Sequence, residues 1–185
     1  EALVLQMQEQ GIPLNVKIAG CLMGVYTEAL DVDGSERIWN LMEESGLKPN
    51  ASCYKHMIRM HIRMKNTKKA MQIFDDLHKK KLDYHLREGF KCTYTYGLIL
   101  NTLTREGDLV RAVRVLEMAA EKNIKLSEVD LWSLRDKLNE LDMIHPDMPK
   151  DPYEWFKHMQ NVRKNFRRKG QKKGHVVQSI LSANF

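Results

Sequence analysis

A short string recurs along this chain at a near-fixed interval, and that recurrence constrains the fold more than any single residue does. Gly11-Ile12-Pro13-Leu14-Asn15 returns 35 residues later as Gly46-Leu47-Lys48-Pro49-Asn50. Another 35 residues on, the string is Lys81-Leu82-Asp83-Tyr84-His85. After a step of 42 it is Asn123-Ile124-Lys125-Leu126-Ser127. The aliphatic position persists as Ile12, Leu47, Leu82 and Ile124. Eight residues before it stands a bulky apolar residue: Val4, Trp39, Phe74 or Leu116. A small residue recurs at Ser35, Ala70 and Ala112. The longer step implies an insertion of 42 minus 35, or seven, residues, placed at Leu86 to Cys92.

Each repeat reads as two helices. Tyr54, Met57, Ile58, His61 and Ile62 follow i, i+3, i+4, i+7, i+8 spacing, which lays one apolar stripe along a helix. Lys65-Asn66 breaks the pattern, and Ala70, Ile73, Phe74 and Leu77 begin a second stripe. Gly11 and Gly46 suit the left-handed residue just past a helix end, and Asn123 can stand in for glycine there. Lys81 is poorly suited to that role. No alternating strand pattern of useful length is present. The expectation is an all-α fold: a right-handed superhelical solenoid of stacked helix-turn-helix hairpins over 1–141, with a C-terminal amphipathic basic helix and tail. Repeats are placed at about 1–15, 16–50, 51–85 and 93–127, followed by a capping helix at 128–141. Further repeats are expected before Glu1, because the chain starts inside a hairpin.

Charge is unevenly spread. The 185 residues carry 30 Lys+Arg against 24 Asp+Glu, but from Trp155 to Phe185 there is no acid at all. That stretch holds Lys157, Arg163, Lys164, Arg167, Arg168, Lys169, Lys172 and Lys173. The first 154 residues therefore carry 22 bases against 24 acids, a net of −2. A basic tail on a near-neutral body calls for an anionic partner, with nucleic acid first and an acidic membrane surface second. No apolar run approaches the ~20 residues of a membrane-spanning helix. Three separated cysteines, Cys21, Cys53 and Cys92, exclude a dense disulfide framework or a thiolate zinc site, and are expected to fill hairpin interiors.

The 35-residue hairpin resembles the pentatricopeptide repeat family. The features that carry this are the Gly-Leu-Lys-Pro-Asn close at 46–50, the Tyr54 and Tyr96 openings, and the small residue before the Phe74-type anchor. The resemblance covers about residues 1–141. It implies binding of organellar RNA, in mitochondria or plastids, in a groove lined by the first helix of each hairpin. In RNA-reading members, a residue early in the first helix and the last residue of the repeat together read one base. The matching pairs are Gly20 with Asn50, Lys55 with His85, and Gly97 with Ser127. Glycine offers nothing to a base edge, and Lys55 suits a phosphate better than a base. Asn50 and Ser127 are the residue types expected, although a helix boundary and an N-cap are the more ordinary roles for them. These departures favour a scaffold that touches structured RNA and proteins, such as a component of the mitochondrial ribosome that contacts rRNA and neighbouring subunits. The alternatives are a free factor acting on organellar mRNA and a protein-interaction solenoid.

Residues 142–150 hold Pro146 and Pro149 and read as a linker. Asp151-Pro152-Tyr153-Glu154 then opens a helix with a cap, a proline at its first turn and an acid three residues on. Trp155, Met159, Val162 and Phe166 form its apolar stripe. The basic run Arg163 to Lys173 lies beyond or off that stripe and is the first candidate for phosphate contact. No catalytic constellation is found. The histidines form no HExxH motif, no phosphate-cradling glycine loop is present, and no cofactor or metal is expected. Asp75-Asp76 and Glu43-Glu44 read as solvent-face pairs, and His78-Lys79-Lys80-Lys81 as cations at a helix C-terminus.

Overall fold

A computed structural model describes residues 6–7, 9–82, 92–141, 151, 154, 156–158 and 161. Among these, every regular element is a helix. Seven bounded helices are α1 (Val16–Ala29), α2 (Val32–Glu44), α3 (Ala51–Arg63), α4 (Thr67–Lys79), α5 (Thr93–Glu106), α6 (Leu109–Glu121) and α7 (Glu128–Glu140). The chain forms two compact units, Glu1–Phe90 and Lys91–Phe185.

The recurring string turns out to be a helix-stop device. Gly46 takes φ +68, its N–H donates to Glu43 O at 3.0 Å, and the N–H of Leu47 donates to Met42 O at 2.8 Å. This is a Schellman closure, and its next residue makes an apolar contact back to the helix. That is the physical reason an aliphatic side chain recurs at Leu47 and its equivalents. Asn123 repeats the geometry at φ +54. So does Lys81, at φ +57, with Leu82 N donating to Leu77 O at 3.2 Å. The tertiary context thus holds a lysine in the left-handed region where sequence reasoning disfavoured one.

A second device lies inside each hairpin. Leu30, Lys65 and Gly107 are all left-handed, at φ +59, +56 and +77. The residue after each caps the following helix. Asp31 accepts from Gly34 N at 2.8 Å, Asn66 from Lys69 N at 3.2 Å and Asp108 from Arg111 N at 3.2 Å. A left-handed residue followed by a capping one therefore ends one helix and starts the next, in a link of two residues after α1 and α5 and three after α3.

In the N-terminal unit α1 packs against α2 and α3, and α3 against α4. Ser35, Ala70 and Phe74 are buried, as their phase demands. Trp39 departs from the expectation and is only half-buried. Its indole stands edge-on to Tyr54, centroids 5.0 Å apart, and donates to Glu43 Oε1 at 3.0 Å. The neighbouring Ile38 and Met42 fill the interior instead. Asp76 departs too. It accepts from the buried Tyr54 hydroxyl at 2.5 Å and pairs with Lys80 at 2.9 Å, while Lys80 also donates to the Tyr54 oxygen at 2.8 Å. Two of the supposed surface charges thus tie α3 to the end of α4. Cys53 is buried but Cys21 is exposed, which corrects the interior placement expected of it.

In the C-terminal unit α5 packs against α6 and α7. Tyr96, Leu100, Ala112, Leu116, Ile124, Leu131, Leu134 and Leu138 are buried. Asp151 caps as expected, accepting from Glu154 N at 2.8 Å. Phe156, only 5% exposed, is a buried residue of this segment that the stripe did not include. The stripe residues Trp155, Met159, Val162 and Phe166 lie outside the described residues, as do Val4 and the insertion residues 86–91.

Candidate nucleic-acid interface

The first helices of successive hairpins are α1, α3, α5 and α7. Counting from their starts, positions 1, 5, 9 and 13 form one file at four-residue spacing, close to a single helix face. The file reads Val16, Gly20, Gly24, Glu28 on α1 and Ala51, Lys55, Arg59, Arg63 on α3. On α5 it reads Thr93, Gly97, Asn101, Arg105, and on α7 Glu128, Trp132, Asp136, Glu140.

Between α1 and α3 lies an open groove of about 720 Å³. Gly20 and Gly24 form part of its wall, with Lys17, Glu28, Asn50, Ser52 and His56 around them. A Cβ on Gly24 would meet His56 Cε1 at 3.1 Å, so glycine here permits close approach of the two helices. Glu28 accepts from Arg59 Nη1 at 2.5 Å and Arg63 Nη1 at 3.3 Å, and Arg63 also donates to the Thr27 carbonyl at 2.7 Å. Burial, together with the cations of Lys55 and Arg59, lowers the His56 pKa to about 4, against a weaker pull from Glu28. The imidazole is therefore neutral at physiological pH. Among the residues lining the groove Glu28 is the one carboxylate, and it meets both Arg59 and Arg63; Lys17 lines the groove and Lys55 stands in the α3 file.

The C-terminal unit arranges the same register differently. A Cβ on Gly20 would meet Cys53 Sγ at 3.8 Å, an ordinary contact, but at Gly97 the equivalent neighbour is the carboxylate of Asp130. A Cβ on Gly97 would stand 2.6 Å from Asp130 Oδ2. Asp130 also accepts from Asn101 Nδ2. Here a carboxylate occupies the space beside the expected reader position.

The expected site residues fall out as follows. Gly20 and Asn50 line one groove, and Asn50 Oδ1 caps α3 by accepting from Ser52 N at 3.0 Å and Cys53 N at 3.1 Å. Lys55 stands in the α3 file, while His85 lies outside the described residues. Ser127 caps α7, its Oγ accepting from Asp130 N at 3.2 Å. Lys157 pairs with Glu154 at 2.8 Å. Arg163, Lys164, Arg167, Arg168, Lys169, Lys172 and Lys173 lie outside the described residues. Sequence reasoning missed Arg59 and Arg63, although their i+4 and i+8 spacing from Lys55 was the available signal. It also missed His56 as a groove residue, and Asp130. Among the described residues, no group of three metal-ligating side chains occurs, and no helix is long and apolar enough to cross a membrane.

Comparison with known proteins agrees with this geometry. Residues 37–83, which run from α2 through α4, match the pentatricopeptide repeat domain. Among solved structures, the chain is similar to the pentatricopeptide repeat protein PPR10 from maize, with a TM-score of 0.59 at 14% identity. The likeness covers 93% of this chain and 32% of that one, so the chain spans about a third of that protein's length. Curated protein sequences give no significant match. The 35-residue hairpin and its Schellman closures thus accompany a match to the pentatricopeptide repeat domain over residues 37–83 and a fold similar to that of a solved pentatricopeptide repeat protein.

Proposed function

We propose that the chain is a non-catalytic RNA-binding scaffold that holds RNA by its phosphates rather than by reading a base sequence. The observation that carries this is the Lys55–Arg59–Arg63 file beside the glycine-walled groove. Its spacing of four residues, about 6 Å along a helix, suits successive phosphates. Glu28 neutralises part of that file and leaves a positive surplus. The glycines at positions 20 and 97 supply no base-reading group, and Asp130 turns a carboxylate toward Gly97. The basic segment 157–173 supplies further phosphate contacts. Lys55, Asn50 and Ser127 belong to the same reading as border residues, with Asn50 and Ser127 acting first as caps.

The resemblance to the family supports a mitochondrial setting, with a plastid as the alternative. In this reading the scaffold has a place in a ribosome or another ribonucleoprotein, against rRNA and neighbouring subunits. The phosphate-dominated chemistry favours that placement over a sequence-selecting factor for organellar mRNA. Sedimentation of the tagged full-length protein on organellar gradients tests it. Co-migration with a ribosomal subunit that survives nuclease treatment is expected. Migration at the top of the gradient, together with selection of one tight RNA consensus, would replace this reading with that of a free RNA factor.

A further inference from the structure

One helix face in the C-terminal unit has no protein partner among the described residues. The inner face of α7 buries Leu131, Leu134 and Leu138. Its outer face leaves Val129 75% and Trp132 45% exposed, three residues apart and so neighbours on one helix face. Around them stand Glu128, Asp136 and Glu140, with Ser133 and Asn139 completing the exposed positions. Acids outnumber bases on this face, where Lys137 is the one cation with a well-exposed side chain. Arg135 is buried, and Lys137 is turned to Glu140 at 2.7 Å. The file position that is Lys55–Arg59–Arg63 on α3 is thus Trp132–Asp136–Glu140 on α7. Such a face repels phosphate and suits a cationic segment carrying some hydrocarbon.

We propose that this face docks the chain's own basic segment, residues 163–173. Three observations favour that occupant. The segment carries Arg163, Lys164, Arg167, Arg168, Lys169, Lys172 and Lys173 with no acid, so its charge complements the face. In the sequence it begins two residues after position 161, the last described, and seven after buried Phe156. Arg163 with Arg167, and Lys164 with Arg168, recur four apart in the sequence, the interval at which Trp132, Asp136 and Glu140 recur on α7. Arginine over an indole adds a cation–π contact, and its stem covers apolar surface. Tethering within one chain makes weak pairs effective by raising the local concentration to the order of millimolar. The consequence rests on the proposed function: RNA and α7 compete for the same cations, so the scaffold releases its tail as RNA arrives.

Trypsin supplies a readout that needs no RNA. In the full chain at low salt, cleavage within 163–173 is expected to quicken about tenfold in the Glu128→Gln/Asp136→Asn/Glu140→Gln variant. High salt should remove the difference. Trp132→Ala should act in the same direction, with circular dichroism confirming that both variants keep their helices. Equal cleavage in wild type and both variants would overturn the proposal. So would protection that grows with protein concentration, which would mean that a second copy supplies the segment. The second readout is affinity for poly(U). The triple variant should bind tighter, and the gain should vanish when the seven cations of 163–173 are changed to Gln. A gain that survives that change reduces the effect to general repulsion of RNA by α7 and also overturns the proposal. Protection that depends on the face, with RNA affinity unmoved, supports the docking and instead removes the tail from the RNA reading.

Discussion

Truncating Phe74 to alanine tests where the N-terminal unit keeps its core. Phe74 has 0% exposure in the middle of α4. It follows the invariantly small position of Ala70, which is also fully buried, by one helical turn. A phenyl ring in such a place has no room to be replaced by water, and the surrounding helices are held by their own closures. The loss then comprises transfer of the ring's apolar surface plus the cavity left behind, about 3–5 kcal/mol. That is a large part of the ~5–15 kcal/mol by which an ordinary domain is stable. Trp39 occupies the same phase in the preceding repeat but is half-buried, so Trp39→Ala should cost less, about 1–2 kcal/mol. Urea unfolding of the full chain followed by far-ultraviolet circular dichroism measures both. For Phe74→Ala, Trp39 fluorescence, isolated by Trp132→Phe and Trp155→Phe, reports the N-terminal unit separately. The midpoint should fall with little change in slope. A loss below about 1 kcal/mol for Phe74→Ala, or a larger loss for Trp39→Ala, would refute the placement of the core.

Other predictions concern single interactions. Tyr54→Phe removes the hydroxyl held by Asp76 and Lys80 and should cost about 1 kcal/mol near neutral pH. Burial pushes the Asp76 carboxyl up, but the Tyr54 hydroxyl and Lys80 bring it to a net value below the ordinary one. Its contribution is therefore present above the unfolded pKa of about 4 and lost as pH falls through the folded value, so the gap between wild type and Tyr54→Phe should narrow in acid. His56 should titrate near pH 4 by NMR, and Lys55→Gln or Arg59→Gln should move that midpoint upward. Burial and these cations depress it, so its contribution to stability holds above the unfolded value and is lost as pH falls through the folded one. Lys65→Gly relieves a left-handed lysine but loosens the unfolded chain, and a net gain of up to about 1 kcal/mol is expected in the same urea titration. A clear loss would show that the lysine side chain contributes more than its backbone geometry costs.

Much of the fold is written in the repeat itself. The interval of 35 marks helix ends, because a left-handed residue and the aliphatic after it must recur wherever a helix closes. The stripe on α3 and the small residues before Phe74 and Leu116 follow from helical spacing alone. Lys81, Leu30 and Lys65 were not legible as left-handed residues, because local propensity disfavours what the hairpin's closure enforces. Trp39 was misplaced because phase identifies the face of a helix but not how far a large ring leans out of it. The candidate interface was legible only in part. Lys55 was found through its place in the repeat. Arg59 and Arg63 gain their meaning from Glu28, a partner 35 residues from Arg63 that only folding brings near. The acid at Asp130 sits beside Gly97 for the same reason, across two first helices. No spacing rule within one helix reveals a contact made by its neighbour.

The most direct test of phosphate binding by this scaffold is the salt dependence of its affinity for single-stranded RNA. Each phosphate contact should contribute a slope of roughly 0.7 in log affinity against log salt. Changing Lys55, Arg59 and Arg63 together to Gln should then flatten the slope by about 2 units if all three touch phosphate. Affinity should fall by a similar factor for different homopolymers, because these contacts carry no sequence information. An unchanged slope in that variant, or binding that is insensitive to salt from the start, would contradict the account.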